Sequence, residues 1–279
     1  MQFLEPNWPC PPGIRACTTL RTTLEQASLS TGLYAGFNLA MHVGDDPVSV
    51  QKNRECLSKA LNLRGEPFWL NQVHGVDAVC LNDFNQVQAG DPLQAADIGY
   101  VNFQKDQKNV RQGQGAEAPG AWANIPVVLT ADCLPVLMAD TKGEQIAAIH
   151  AGWKGIAAGI LERALSLFLE LGIPKNQVLI WLGPGIGPNA FEVGAEVRDL
   201  FLALNAENVR AFRTVAKNFG SGKYLGNLYQ LAHNALGRAG ALAQNIYSQY
   251  LCTYSDSERF FSYRRDHQTG RMATLIWKA

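Results

Sequence analysis

The sequence predicts a single α/β domain of the α+β kind, in which helices flank mixed β-sheets. Two patterns indicate this class: short apolar runs typical of strands often follow one another directly, and amphipathic helical segments occur between them. The 279 residues are enough to bury a sizeable core. A composition of 47% hydrophobic and 17% charged residues is that of an ordinary globular protein. We expect one domain over residues 1–279, with a polar surface insertion at 102–120.

Charge and cysteine content narrow the functional class. The 24 Lys and Arg residues balance 24 Asp and Glu residues, which argues against a nucleic-acid partner, since such proteins need a cationic surface. The six cysteines form no Cys-x-x-Cys pair, as in reduced cytoplasmic proteins. The N-terminal residues do not have the pattern expected of a signal peptide, and the sequence predicts no membrane-spanning run of about 18 apolar residues. We therefore expect a cytoplasmic protein without a membrane partner; the oligomeric state stays open.

The first half of the chain contains one helix and a series of strands. Asp45 or Asp46 can cap a helix that has Pro47 at its first position. Its buried face would carry three aliphatic residues, Val50, Leu57 and Leu61. Short apolar runs then predict strands at 68–70, 78–81, 98–101, 127–130, 134–138 and 146–149. The polar segment 102–120 interrupts this series.

Helices and strands alternate in the second half. Apolar residues at helical spacing from Ile156 to Phe168 predict a long helix, which Gly172 and Pro174 end. A further strand is expected at 178–182, and helices near 195–204 and over 224–239. The chain closes with predicted strands at 260–263 and 273–277.

The stretch ADCLPV at 131–136 interrupts an apolar run with polar residues and a proline. A proline cannot donate to a sheet, and a buried carboxylate such as Asp132 is unfavourable by several kcal/mol unless it is paired. Some structural or functional role must offset that cost. Asp132 and Cys133 are therefore candidate site residues.

Three stretches place a metal-ligand side chain at the edge of a predicted strand. They are NQVHG at 71–75, ADCLPV at 131–136 and HAGWKG at 150–155, with His74, Cys133 and His150. The ligands are 59 and 17 residues apart, unlike the paired spacing of structural zinc sites. Catalytic zinc takes three protein ligands and keeps one position open. Gly75 and Gly152 would allow close approach, and Asp132 could accept a hydrogen bond from a ligand.

The residues alone leave a plainer interpretation open. Free cysteine is among the most buried residue types, so Cys133 fits a core position as well as a metal site. A histidine before a glycine, as at His74, is also typical of a hydrogen-bonded turn. Spacing by itself does not decide between these interpretations.

Several longer blocks resemble a known family. The sequence is similar to the laccase-domain family, first described as multicopper polyphenol oxidoreductases and later reassigned as zinc-dependent purine nucleoside phosphorylases. The matching blocks extend over nearly the whole chain: HVGDDPVSVQKNR, NQVHG, TADCLPV, HAGWKG, WLGPGIGPNAFEVG, CTYSDSERFFSYRRD and TGRMATLIW.

The resemblance implies a metal site and a reaction. In that family a His, a Cys and a second His coordinate one zinc ion, and they correspond to His74, Cys133 and His150. It also implies phosphorolysis of adenosine, inosine and S-methyl-5′-thioadenosine, plus hydrolytic deamination of adenosine. The expected partners are thus small purine nucleosides and phosphate. Copper could occupy the same site in vitro, because it binds N and S ligands more tightly than zinc does.

Other residues are candidates for parts of this chemistry. Zinc lowers the pKa of a bound water to about 7, which suits attack at C6 of adenine. Asp132 could act as general base and Gln72 could bind the base, although a turn cap and a strand end are equally plain interpretations. Phosphate would need cationic donors, and the matching blocks offer Arg54, Lys154 and Arg264. Each could instead be an ordinary surface residue.

The sequence also departs from the family pattern. The segment after Arg21 lacks the usual Gly-Gly-Val-Ser stretch, and Asn227 stands where Asp is common. Lys154 occupies a position often held by Arg, and the 102–120 segment is longer than expected. These differences put substrate preference in doubt but leave the three ligands in place.

Three other functions stay open. A copper-dependent polyphenol oxidase would follow from the family's older name, but five histidines with no His-x-His pair are a poor set for several coppers. A cysteine hydrolase could use Cys133 with a histidine as base. A non-enzymatic metal-binding quality-control protein would need the metal but no reaction.

Overall fold

Two β-sheets stacked face to face form the centre of the molecule. The computed structural model describes residues 2–22, 30–83, 94–104, 124–215 and 222–279. Within these ranges the strands are β1 Phe3–Leu4, β2 Ile14–Thr19, β3 Phe68–Trp69, β4 Ala78–Cys80, β5 Ile98–Asn102, β6 Pro126–Thr130, β7 Leu134–Asp140, β8 Gln145–Ala151, β9 Val178–Leu182, β10 Glu192–Gly194, β11 Phe212–Thr214, β12 Lys223–Gly226, β13 Ile246–Ser248 and β14 Met272–Lys278. The α-helices are α1 Pro47–Ala60, α2 Trp153–Ala158, α3 Ile160–Leu169, α4 Ala195–Leu204, α5 Leu228–Ala239 and α6 Tyr263–Asp266.

The strands form two large sheets and one small one. The six-stranded sheet has the order β13-β9-β7-β8-β5-β4, and the five-stranded sheet has the order β1-β2-β14-β6-β3. Both mix parallel and antiparallel pairs, for example parallel β3 with β6 and antiparallel β14 with β6. The small sheet, β10-β12-β11, is antiparallel. The prediction of a single α/β domain with mixed sheets flanked by helices is confirmed.

Side-chain alternation along the strands produces four layers. In β7, Val136 and Met138 face a core shared with helices α2, α3 and α5, whereas Leu137 and Ala139 face the five-stranded sheet. In β6, Val128 faces the six-stranded sheet, and its neighbours face α1. The order is therefore helices, six-stranded sheet, five-stranded sheet, helix. Each sheet is buried on both faces.

Most predicted elements are present with small shifts in their ends. Strand β9 and helix α4 have the predicted bounds, and Asp46 caps α1 by accepting from the backbone N–H groups of Val48 and Ser49. The single helix expected from Ile156 is divided at Gly159, whose φ of +93° no helix accommodates. This break separates α2 from α3.

The helix predicted over 224–239 begins later than expected. Lys223–Gly226 is strand β12, which pairs with β10 and β11, and α5 starts only at Leu228. Asn227 is the N-cap and accepts from the N–H of Gln230 at 3.1 Å. An Asn or an Asp can make this cap, so the family difference at Asn227 leaves the cap intact.

The strand predicted over 260–263 is wrong. Phe260 and Phe261 are fully buried, but Tyr263–Asp266 is a short helix. The guanidinium of Arg265 donates to the backbone carbonyls of Thr253, Tyr254 and Phe260. A side chain thus satisfies carbonyl groups that a sheet partner would otherwise bind.

Two parts of the sequence prediction lie outside the described residues. Most of the proposed insertion at 102–120 falls within 105–123, and the altered segment after Arg21 falls within 23–29. Neither can be compared with the expectation. Among the described helices, none has both the length and the apolar character needed to cross a membrane.

Candidate metal centre

His74, Cys133 and His150 meet at one edge of the stacked sheets. β3 and β6 run parallel, so their carboxyl ends lie at the same edge; β3 leads to His74 and β6 leads to Cys133. β8 ends beside the start of β7, since Ala151 pairs with Leu134, and this register brings His150 to the same edge. Topology therefore gathers residues that are far apart in sequence.

The distances among the three side chains suit one metal ion. One ligand atom from each residue lies within 4.8 Å of the others. The Cys133 Sγ atom is 3.9 Å from His74 Nε2, and the imidazole rings of His74 and His150 are 4.7 Å apart at 74°. Tetrahedral zinc holds S and N ligands about 3.5 Å from each other. Small side-chain movements would complete such a site.

The three residues differ in exposure. His150 is 4% exposed, Cys133 is partly exposed and His74 is exposed. A metal ion held here would be enclosed on the His150 side and accessible on the His74 side. This is what a catalytic site with an open coordination position requires.

Gly152 makes room for the cluster. A Cβ atom at this position would lie 2.9 Å from Cys133 Sγ and 3.2 Å from His74 Cδ2. The φ angle of Gly152 is −71°, which any residue adopts. Glycine is therefore needed here for space and not for backbone conformation.

Asp97 is a central residue of the site that the sequence interpretation missed. Its Oδ1 atom is 2.7 Å from His150 Nδ1, and its Oδ2 accepts from the backbone N–H groups of Val73 and Gly75. It is fully buried and directly precedes β5. One carboxylate thus orients the imidazole of His150 and fixes the loop that carries His74, whose φ is +61°. A carboxylate directly before an apolar strand was the available signal.

Electrostatic coupling shifts the pKa values of the cluster. Burial alone would raise the pKa of Cys133, but His150 and His74 outweigh it and bring that pKa down to about 6. Burial would lower the pKa of His150, but the Cys133 thiolate and Asp97 raise it to about 9. Burial would also raise the pKa of Asp97, yet His150 and backbone donors keep it below its ordinary value. In the metal-free protein these opposite shifts favour a Cys133 thiolate beside a His150 imidazolium.

Asp132 connects Cys133 to neighbouring loops. Its φ is +99°, a conformation that a non-glycine residue rarely adopts. Its carboxylate accepts from the Thr253 hydroxyl and from the backbone N–H of Arg264, both at 2.6 Å. Its carbonyl accepts from the N–H of Ile186 at 2.9 Å. These bonds offset the cost of placing a carboxylate in the ADCLPV stretch, and none of them reaches His74 or His150.

Gln72 binds backbone. Its amide nitrogen donates to the carbonyl of Leu129 at 2.8 Å, and its amide oxygen accepts from the N–H of the same residue at 2.7 Å. The side chain thereby extends the β3–β6 pairing toward the NQVHG loop. This is the strand-end alternative considered from the sequence.

The three cationic candidates have different surroundings. Arg54 is 8% exposed and stacks on the Trp69 ring at 3.8 Å. Lys154 is exposed, with its nitrogen 5.8 Å from the ring of Trp153. Arg264 is also exposed, and its Nη1 atom donates to the carbonyl of Glu192 at 2.7 Å. Only Arg54 of these three candidates combines deep burial with a full positive charge.

A known family model matches nearly the whole chain. Residues 17–279 match the family model described as "Multi-copper polyphenol oxidoreductase laccase". The chain belongs to this family. The resemblance noted from the sequence blocks is therefore confirmed.

Relatives within this laccase family align along their whole length. The Shigella flexneri protein named purine nucleoside phosphorylase YfiH is 41% identical, over 99% of this chain and 98% of its own. A purine nucleoside phosphorylase of Pseudomonas aeruginosa is 39% identical over the same shares. A crystal structure of a Neisseria meningitidis protein has a TM-score of 0.80 at 35% identity, covering 100% of this chain and 99% of that one. The Shigella and Pseudomonas relatives, both similar to this chain over its full length, thus carry the name of an enzyme.

Proposed function

We propose that this protein is a zinc-dependent purine nucleoside phosphorylase acting on adenosine, inosine and S-methyl-5′-thioadenosine. The observation that carries the proposal is the His74, Cys133 and His150 cluster, with its closed and open sides, in a chain whose full-length relatives bear that enzyme name. Hydrolytic deamination of adenosine to inosine and ammonia is proposed as a second activity of the same site.

The donor set favours one ion over several coppers. Among the described residues, which include all five histidines, His74, Cys133 and His150 are the single group that could hold a metal. Multicopper oxidation needs further imidazole-rich sites. One thiolate and two imidazoles with an exposed side suit zinc in a catalytic role. The older family description is therefore the weaker guide to the reaction.

The chain's own residues would divide the work of phosphorolysis. A phosphate oxygen forms a bond to C1′ while the C1′–N9 bond breaks, and the bonding electron pair leaves with the purine. His74, Cys133 and His150 would hold the ion, which supplies Lewis acidity to the substrate when bound. Cationic side chains, with Arg54, Lys154 and Arg264 as candidates, would hold phosphate beside C1′.

Asp132 and Gln72 fit positioning roles better than chemical ones. Both oxygens of Asp132 already accept hydrogen bonds, and both ends of the Gln72 amide bind the backbone of Leu129. We propose that they hold the Cys133 and His74 segments in register at the sheet edge. A cytoplasmic location is also proposed, since all six cysteines are described and each is a free thiol.

Metal analysis is the first test. We expect about one zinc ion per chain in the wild type and almost none in Cys133→Ala. Cys252→Ala is the matched control, because Cys252 is a partly exposed thiol that accepts from the N–H of Gly187, outside the cluster. Full zinc retention by Cys133→Ala would overturn the ligand assignment.

Product analysis is the second test. Zinc-loaded protein incubated with adenosine should release adenine and ribose 1-phosphate only when phosphate is present, whereas inosine should form without it. Activity should be lost in Cys133→Ala and kept in Cys252→Ala. Hydrolysis that persists after complete zinc removal would favour a cysteine hydrolase. Failure to convert any nucleoside would refute the proposed function.

A further inference from the structure

Two arginines beside the candidate metal cluster have no carboxylate partner among the residues that the structure describes. Arg54 is 8% exposed, and its Nε atom donates to the carbonyl of Leu39 at 3.0 Å. Arg271 is half-buried, and its Nη1 atom donates to the carbonyls of Thr269 and Gly270. Within the described part of the chain, no carboxylate oxygen lies within 4.0 Å of either guanidinium. Both therefore keep N–H groups for an anion.

The same short segment positions both arginines. Arg54 binds the carbonyl of Leu39, and the Asn38 Oδ1 atom accepts from the backbone N–H of Arg271 at 3.0 Å. Asn53, next to Arg54 on α1, donates to the carbonyl of Asn38 at 2.9 Å. The segment around Leu39 thus connects α1 to the residue that precedes β14.

Sheet register brings Arg271 to the metal cluster. Met272 pairs with Thr130 in antiparallel strands, so Arg271 lies opposite the start of the ADCLPV stretch. Arg54 stacks on Trp69 of β3, the strand that leads to the His74 loop. The two cations therefore lie at the sheet edge that carries the metal ligands.

The neighbouring charges agree with this placement. Burial lowers the pKa of Arg271, and the negative groups Cys133 and Asp132 oppose that shift. Burial lowers the pKa of Arg54 to about 10, so it stays charged at pH 7. Burial and then the positive charges of Arg271, Arg54 and His150 lower the pKa of His42. His42 therefore lies near both arginines and His150.

The nearby acids are already hydrogen-bonded elsewhere. Asp132 accepts from Thr253 and Arg264, as described above. Glu66 accepts a hydrogen bond from the indole N–H of Trp69 at 2.7 Å. Trp69 is also the residue on which Arg54 stacks. Glu66 opposes the lowering of the Arg54 pKa, although it forms no ion pair with Arg54 among the described residues. Burying positive charge is costly, and an incoming anion would offset that cost further.

We propose that Arg54 and Arg271 form an oxyanion subsite, beside the three metal ligands, that binds inorganic phosphate as the second substrate. This inference rests on the proposed function and deepens it by assigning the phosphate position. Arg271 was not among the sequence candidates, and Lys154 and Arg264 would lie outside the subsite. Guanidinium groups suit the role because their paired N–H donors match two oxygens of a phosphate.

Kinetics with the zinc-loaded enzyme provide the first test. Arg271→Gln should raise KM for phosphate by about 10- to 100-fold, the effect of losing a charged hydrogen bond, while KM for the nucleoside stays near the wild-type value. Arg271→Lys should recover part of the loss. Arg163→Gln is the matched control, since Arg163 is an exposed residue paired with Glu170 at 2.7 Å. An unchanged phosphate KM in Arg271→Gln would overturn the subsite.

A binding measurement separates the subsite from the reaction. Millimolar phosphate without nucleoside should raise the Tm of wild type and of Arg163→Gln, and should fail to do so in Arg54→Gln and Arg271→Gln. Equal Tm shifts in all four proteins would overturn the inference. If wild type phosphorolyses no nucleoside yet shows the Arg-dependent shift, the subsite stands and the proposed function fails.

A nucleotide ligand and a folding control complete these measurements. Adenosine 5′-monophosphate tests whether the subsite instead takes the phosphate of a nucleotide; a Tm shift with it but not with inorganic phosphate would overturn the assignment. Because Arg54 is buried, Arg54→Gln needs a circular dichroism check of folding. If that variant does not fold, Arg271→Gln decides the question alone.

Discussion

Asp97 and Asp132 are two carboxylates at the same sheet edge that bind different partners. Asp97 binds the imidazole of His150 and the backbone of the His74 loop, whereas Asp132 binds Thr253, Arg264 and Ile186. One aspartate orients the candidate metal ligands and the other holds the surrounding loops together. Asp132 is next to Cys133 in sequence, yet its hydrogen bonds go to other loops. Asp97 is distant in sequence from His150 but binds its imidazole, so sequence neighbours do not identify the residue that orients a candidate ligand.

Replacing each aspartate by asparagine should produce the largest difference between the two positions. Asp97→Asn should weaken zinc affinity by about 10- to 100-fold, the usual effect of losing a carboxylate that orients a histidine ligand. Asp132→Asn should leave zinc affinity almost unchanged and instead lower the free energy of unfolding by about 1–3 kcal/mol. Competition with a chelator measures the first quantity, and urea unfolding measures the second.

The two aspartate variants serve as controls for each other. Asparagine keeps the shape of the side chain and tolerates the positive φ of Asp132 about as well as aspartate does. A loss of zinc affinity that is equal in both variants would mean that the edge responds as one unit.

Substitution of Gly152 should give an intermediate effect. Gly152→Ala puts a methyl group 2.9 Å from Cys133 Sγ, so we expect zinc affinity to fall by about tenfold, as for other disturbed ligand shells. Gly237→Ala is the control, because a Cβ at this helical position meets no atom within 4 Å. It should be neutral or slightly stabilising. Zinc titration of both variants checks the prediction, and equal affinities would show that the cluster has more room than its geometry indicates.

The smallest expected effect is a shift in thiol titration. In metal-free protein Cys133 should be alkylated as a thiolate above about pH 6 and be protonated, hence slow, below it. Asp97→Asn should move this midpoint upward, since an imidazolium at His150 is then less stabilised, while Asp132→Asn should not. Peptide mass spectrometry after iodoacetamide treatment measures each cysteine separately. Cys10, whose pKa burial raises, is the internal reference; a common midpoint for both thiols would contradict the coupling of Cys133 to His150.

The sequence pattern correctly predicted elements whose conformation depends on interactions between residues close together in the chain. The apolar strand β9, helix α4 and the Asp46 cap follow from alternation, helical spacing and capping chemistry within a few residues. The errors arose where a distant partner decides the conformation. Phe260 and Phe261 resemble a strand, but Arg265 binds the carbonyls around them. Lys223–Gly226 has a sequence that fits the start of a helix, but it is a strand because it pairs with β10 and β11.

Residue patterns and motif blocks were enough to predict the fold class, the family and the three candidate metal ligands. His74, Cys133 and His150 were candidates because their side chains are common metal ligands, and the family resemblance favoured the metal site over a buried thiol and a turn histidine. Tertiary contacts alone revealed that Asp97 binds both His150 and the His74 loop. They also revealed that Arg271 lies near Cys133, whereas Arg54 stacks on Trp69 in the strand before the His74 loop. Hydrogen-bond partners of buried charges are chosen by strand register and sheet stacking, which join residues far apart along the chain, and no short pattern contains that information.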